Sequence, residues 1–236
     1  MSGFLFPKWL NRAKPFVAAG LLTAPLYVGA LFVYGANPAI YDLGYAPRQP
    51  VDYSHALHAG QLKMDCRFCH TQVENGATAN VPPTQTCMNC HTNIKKTSVK
   101  LLPVRESHSD PGGKPVPWNK VHKLPDYVYF NHSAHVGRAY SGNPYGGQSG
   151  AKKEGAGIGC VSCHGRVDQM EVVHQVQPLS MGWCLECHRA PEKHLRPLAE
   201  VTNMEYVASR PDEGKELRDK YLKNVNHLQE CWTCHR

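Results

Sequence analysis

Every cysteine in this chain belongs to a Cys-x-x-Cys-His motif: Cys66/Cys69/His70, Cys87/Cys90/His91, Cys160/Cys163/His164, Cys184/Cys187/His188 and Cys231/Cys234/His235. Thiols three residues apart share a helix face, so each pair can grip one flat ligand at two points. The next residue then carries an imidazole to that ligand's face. The matching chemistry is thioether attachment of haem, with the cysteines adding to its vinyl groups and the histidine binding iron. Five disulfides or several zinc sites would also use ten paired cysteines. Neither requires a histidine after every second cysteine. A lysine in that place would mark an open iron suited to substrate reduction, and none of the five motifs has one.

Low-spin electron carriers need a second axial ligand on each iron. Nine histidines lie outside the motifs: His55, His58, His108, His122, His132, His135, His174, His194 and His227. Four come from a repeat, aromatic-x-His-x-x-His-x-Gly, which reads Tyr53 to Gly60 and again Phe130 to Gly137. Histidines three apart share a helix face, but one haem is too bulky to be served by both. His55, His58, His132 and His135 are therefore expected to reach two different irons per pair. For the fifth iron Met170 and His122 are the leading candidates, with His174 behind them; a methionine would raise the potential relative to histidine. Met64 and Met88 lie close enough to motifs to touch porphyrin edges.

Each repeat copy precedes two attachment motifs with similar spacing, Cys66 to Cys87 and Cys160 to Cys184. This predicts two duplicated two-haem modules with a fifth haem appended. The expected fold class is short α-helices and loops packed around five covalent haems, with one N-terminal transmembrane helix. The expected organisation is an N-terminus at 1–15, a span at 16–36, a linker at 37–51, module 1 at 52–95, a connector at 96–129, module 2 at 130–198 and a C-terminal segment at 199–236. Module 2 contains a glycine-rich insertion, 137–159, read as a flexible loop or docking insertion. The stretch from Lys95 to Pro117 reads as another loop. From Asp212 to Glu230, Leu217, Tyr221, Leu222, Val225 and Leu228 recur at helical spacing, predicting a helix that runs into Cys231.

Residues 16–36 carry no charge. As a helix they would extend about 32 Å, close to the thickness of a bilayer's hydrocarbon. Lys8, Arg12 and Lys14 precede them, which puts the N-terminus in the cytoplasm and the rest on the extracytoplasmic side of the cell membrane. A cleaved signal peptide is the competing reading, although its apolar region is usually shorter. With no ionisable group in the span, the helix reads as an anchor, and a partner is expected to supply quinol chemistry. The chain has a net charge of +7, but haem propionates would offset it. No basic and aromatic recognition stripe accompanies the charge, so nucleic-acid binding is not expected.

The repeat before Cys66, the string from Trp118 to His135 with its Leu-Pro-Asp-Tyr-Val-Tyr-Phe-Asn-His core, and Met181-Gly-Trp-Cys-Leu-Glu-Cys-His-Arg189 resemble the pentahaem membrane-anchored cytochrome c subunit of alternative complex III. The resemblance covers nearly the whole chain. It implies an electron-transfer subunit with no catalytic residue of its own, inside a quinol:electron-acceptor oxidoreductase. Its partners would be iron–sulfur and polytopic membrane subunits, and its acceptor a mono-haem cytochrome c, a copper protein or a terminal oxidase. The two-haem modules also resemble small multihaem cytochromes of the c3 and c7 type. Two other readings stay open: a stand-alone anchored quinol dehydrogenase, and a multihaem reductase of nitrite or sulfur oxyanions with one five-coordinate iron.

Overall fold

A computed structural model describes residues 7–36, 42–109, 114–136, 139–140, 155–222 and 226–235. The chain forms two compact units, Met1–Asp42 and Leu43–Arg236. Gly137, Val225, residues 37–41 of the linker and most of the glycine-rich insertion lie outside the described residues.

In the first unit a 3-10 turn, Lys8–Ala13, leads into α1, Lys14–Ala30, which ends in a π-helical turn, Leu31–Gly35. Trp9–Gly35 is a continuous apolar helix with a mean hydropathy of 2.0 in its best window, long and apolar enough by length and composition to cross a membrane. It starts earlier than the uncharged stretch alone suggested. Pro25 lies inside α1 without ending it.

The second unit is mainly short helices and loops. All five motifs are helical: α2 (Cys66–Cys69), α3 (Thr84–His91), α6 (Cys160–His164), α7 (Met181–Arg189) and α9 (Cys231–Cys234). The repeat histidines start two further short elements, a π-helical turn at Ala56–Gln61 and α5 at His132–Val136. Residues preceding them cap the turns. Ser54 Oγ accepts from the Leu57 amide at 2.9 Å, and Asn131 Oδ1 accepts from the Ser133 amide at 3.0 Å, which satisfies first-turn donors. Gly60 is where the backbone of Asp168 packs against the first copy, and a Cβ would collide with the Asp168 carbonyl.

Three expectations need correction. The Lys95–Pro117 stretch is not all loop: a 3-10 turn at Val99–Leu101 leads into α4, Leu102–Ser109. Its single strong anchor, Val104, is buried against Met88, Val51 and Val116, and one such residue gives too little periodicity to announce a helix. The ends of the glycine-rich insertion are strands, not loop. β1 (Ala139–Tyr140), β2 (Gly155–Ile158) and β3 (Leu195–Pro197) form an antiparallel sheet in that order, pairing Ala139 with Ala156 and Gly157 with Arg196. Gly157 suits β2 because a Cβ there would lie 3.0 Å from Val201 and 3.2 Å from Leu198, two members of a small core with Val136. Finally, no unbroken helix reaches Cys231. α8 covers Glu213–Tyr221, Leu222 leaves helical geometry, and a 3-10 turn at Asn226–Gln229 precedes α9. Asn224, Val225 and Asn226 are poor helix formers, and α8 buries none of its residues. Glu216 is engaged by Arg210 at 3.0 Å.

Candidate haem-attachment sites

Each attachment helix places its two cysteines one turn apart and ends within one residue of its histidine. All ten thiols are free. Among the described residues no group of three or more His, Cys, Asp or Glu side chains converges as a metal cage, as tetrahedral zinc would require.

The histidines are instead arranged in twos. His58 faces His91 with ring centres 6.3 Å apart, His132 faces His164 at 6.3 Å, and His135 faces His188 at 6.2 Å. Two imidazoles bound to opposite sides of one metal, at about 2 Å per metal–nitrogen bond, have ring centres about 6 Å apart. The spacing therefore fits an iron with two axial histidines, and thiols beside each motif histidine fit the macrocycle that would surround it. The rings of the second pair are nearly parallel, at 6°, and those of the third lie at 25°. Among neighbouring side chains His70 and then His58 act most strongly on the charge of His55. The second copy thus sets its first histidine against the third motif and its second against the fourth, and the first copy sets its second histidine against the second motif.

Hydrogen bonds fix the nitrogen that is left free. Nδ1–H donates to a backbone carbonyl in His58 (Ser54, 2.9 Å), His135 (Asn131, 2.7 Å) and His132 (Ala77, 2.8 Å). The same bond forms in His70 (Asn80, 2.6 Å), His91 (Ile94, 2.9 Å), His188 (Leu228, 2.8 Å) and His235 (Tyr127, 3.3 Å). A carbonyl can only accept, so Nδ1 carries the proton and Nε2 keeps a lone pair for a metal. Burial favours the same neutral form. His55 is pushed down to about 4 by burial and then by His70 and His58, and His164 to about 3 by burial and then by His122 and His132. Burial also lowers His135 and His122.

An aromatic ring organises each copy. Tyr53 meets His55 edge-on at 4.7 Å and stacks on His58 at 4.5 Å; Phe130 meets His132 at 4.8 Å and stacks on His135 at 4.5 Å. The sequence showed this aromatic position as part of the repeat, but not its contact with both histidines.

The candidates for a fifth axial ligand are dispersed. Met170 is buried, and its carbonyl accepts from the Ala56 amide at 3.0 Å, beside the first histidine pair. His122 approaches His164 perpendicularly at 4.4 Å, too close for a metal between the two rings, although its buried Nε2 has no partner. His174 turns Nδ1 toward the Val172 carbonyl at 3.4 Å. His235 is met by the ring of Tyr127 at 5.9 Å.

Two charged groups escaped the sequence reading. Asp65 caps α2 through the Arg67 amide at 2.8 Å, pairs with the Arg67 guanidinium at 2.8 Å, and accepts from Thr202 at 2.9 Å. Arg196 is 8% exposed, and its Nε has no partner. Its Nη1 donates to the Glu200 and Asn203 carbonyls, and its guanidinium fills the space beside Gly159 that a Cβ would need. An Asp directly before a Cys-x-x-Cys was a readable capping signal; nothing local marks Arg196.

No protein-family model matches the chain. A curated relative from Nitratidesulfovibrio vulgaris (strain Hildenborough), the multiheme cytochrome c subunit of a menaquinone reductase, is 31% identical over 117 residues. The match takes in 48% of this chain and 54% of the relative, so the chain spans about half the length of the curated relative it matches.

Proposed function

We propose that this chain is a multihaem c-type cytochrome that carries electrons within a membrane-bound, quinone-linked oxidoreductase and performs no bond chemistry of its own. The observation that supports this most is the set of three opposed imidazole pairs, 6.2–6.3 Å apart, each including a motif histidine. In this reading the ten cysteines would hold five haems, and His70, His91, His164, His188 and His235, with His55, His58, His132 and His135, would hold their irons. Met170 or His122 completes the fifth set. Bound haem supplies reversible one-electron chemistry at iron.

The chain's own residues fix that chemistry. Carbonyls hold the Nδ1–H of His58, His70, His91, His132, His135, His188 and His235, leaving Nε2 free for a metal, and the rings of Tyr53 and Phe130 pack against both histidines of their copies. Burial favours the unprotonated form of His55, His135 and His164. The Trp9–Gly35 helix anchors the chain, with the haem-bearing unit on the extracytoplasmic side. Partners are iron–sulfur and polytopic membrane subunits that handle the quinone, and the acceptor is a mono-haem cytochrome c, a copper protein or a terminal oxidase. That assembly is the quinol:electron-acceptor oxidoreductase of the alternative complex III type.

The relative's description as part of a menaquinone reductase favours a second reading, in which electrons run toward a quinone. One experiment addresses both. The intact complex is expected to show five haem masses on this chain, uniformly low-spin ferric spectra, and reduction by a quinol analogue that is lost when the chain is isolated. Oxidation of the reduced complex by a menaquinone analogue, without reduction by the quinol, would favour the second direction. Fewer than five haems, or carbon monoxide binding by the reduced chain, would contradict the relay.

A further inference from the structure

We propose that the five attachment motifs stand in a single row in the order second, first, third, fourth, fifth, so that the first motif, not the second, is the junction between the two modules. The row rests on the functional reading above, since it becomes an electron path only if the motifs carry haem.

Within each module, histidines three residues apart tie two motifs together. His55 and His58 serve the first and second, and His132 and His135 the third and fourth.

The link between modules departs from chain order. Cys66, of the first motif, lies side by side with Cys160, of the third. Around this contact the start of α5 is bonded to the loop after the first motif: the His132 amide donates to the Ala77 carbonyl and the Ser133 amide to Gly76, both at 3.1 Å. His164 also lies near enough to His70 and His55 to interact with them electrostatically. The second motif is thereby left at one end.

The fifth motif joins the opposite end. His188 Nδ1–H reaches the Leu228 carbonyl just before it at 2.8 Å. The Tyr129 amide donates to the Cys234 carbonyl at 2.8 Å. Exposure agrees with an end-to-end order, because Cys90 and Cys231 are the exposed cysteines and the other eight are partly covered. These belong to the second and fifth motifs, the two ends where electrons would enter and leave.

Iron anomalous scattering from crystals of the haem-loaded protein in its complex tests the order directly. Five iron peaks, each assigned through its Cys-x-x-Cys-His, are expected to have nearest neighbours 2–1, 1–3, 3–4 and 4–5. Five peaks in chain order, or an iron of the second motif closer to the third motif's iron than the first motif's is, would overturn the row while leaving the relay intact. A motif without iron would overturn the functional reading and the row with it. A second readout uses redox titration of His→Met variants at His55 and His58. The first is expected to shift two neighbouring midpoints and the second only one; equal numbers would contradict the order.

Discussion

The two histidine repeats are nearly the same object built twice, yet their surroundings carry opposite charge. Tyr53 and Phe130 contact their histidines with ring spacings that agree within 0.1 Å, 4.7 against 4.8 Å and 4.5 against 4.5 Å. The second histidine of each copy faces its motif partner at 6.3 and 6.2 Å. Directly before the first attachment motif, however, module 1 has the capping carboxylate Asp65, already paired with Arg67. Module 2 has Gly159 in that place, with the buried guanidinium of Arg196 against it. The two copies share the spacing of their aromatic and histidine rings and differ in the charged group that precedes the attachment motif.

The largest test of equivalence removes an attachment point from the centre and from the end. Cys66→Ala with Cys69→Ala is expected to cost the junction haem and unfold most of the second unit, because few apolar side chains are buried there and a small apolar core has little stability in reserve. Cys231→Ala with Cys234→Ala is expected to lose one haem and keep the rest folded. Haem count by mass and helix content by circular dichroism separate the cases. Equal collapse would mean the fifth site is as integral as the modules.

Replacing the aromatic rings probes the shared geometry. Phe130 is 37% exposed, so Phe130→Ala is expected to cost about 2 kcal/mol, below the range for fully buried rings. Tyr53→Ala should cost about the same and lower Tm by several degrees. A loss confined to one copy would show that only that copy depends on its ring.

How much of this was legible beforehand follows from what holds the fold together. The motifs, the repeat and the apolar N-terminal helix announce themselves because their chemistry depends on local spacing. Helix α4 and strand β2 do not, since Val104 and Ala156 are lone anchors without periodic company. A core meant to be filled by macrocycles leaves little hydrophobic pattern in the chain. Arg196 and the Cys66–Cys160 contact arise from residues far apart in sequence, and only folding brings them together.

The charge difference predicts a difference in potential. Arg196→Gln removes a buried cation beside Gly159, directly before the third motif, and losing a nearby positive charge favours the oxidised form of an iron held there. The midpoint of the third site should fall by tens of millivolts in a spectroelectrochemical titration. Arg67→Gln removes a cation whose side chain is 38% exposed and therefore screened by solvent, so it should move the first site much less. Equal shifts would show that solvent screens both cations alike.

The smallest expected effect is a pH dependence peculiar to module 1. Asp65 is held down to about 2, first by its hydrogen bond from the Arg67 side chain, while burial works against the shift. Its folded value lies below its unfolded one, so its contribution is complete above about pH 4 and disappears as pH falls through about 2. Because the pair is well exposed, solvent screening keeps that contribution small. Melting curves of the haem-loaded protein and of Asp65→Asn should differ slightly at pH 6 and converge toward pH 2. Module 2 has no carboxylate in the equivalent place, so Gly159→Ala, which forces Arg196 aside, should instead destabilise equally at both pH values. A Gly159→Ala loss that tracked pH would mean that a carboxylate outside this pair answers Arg196.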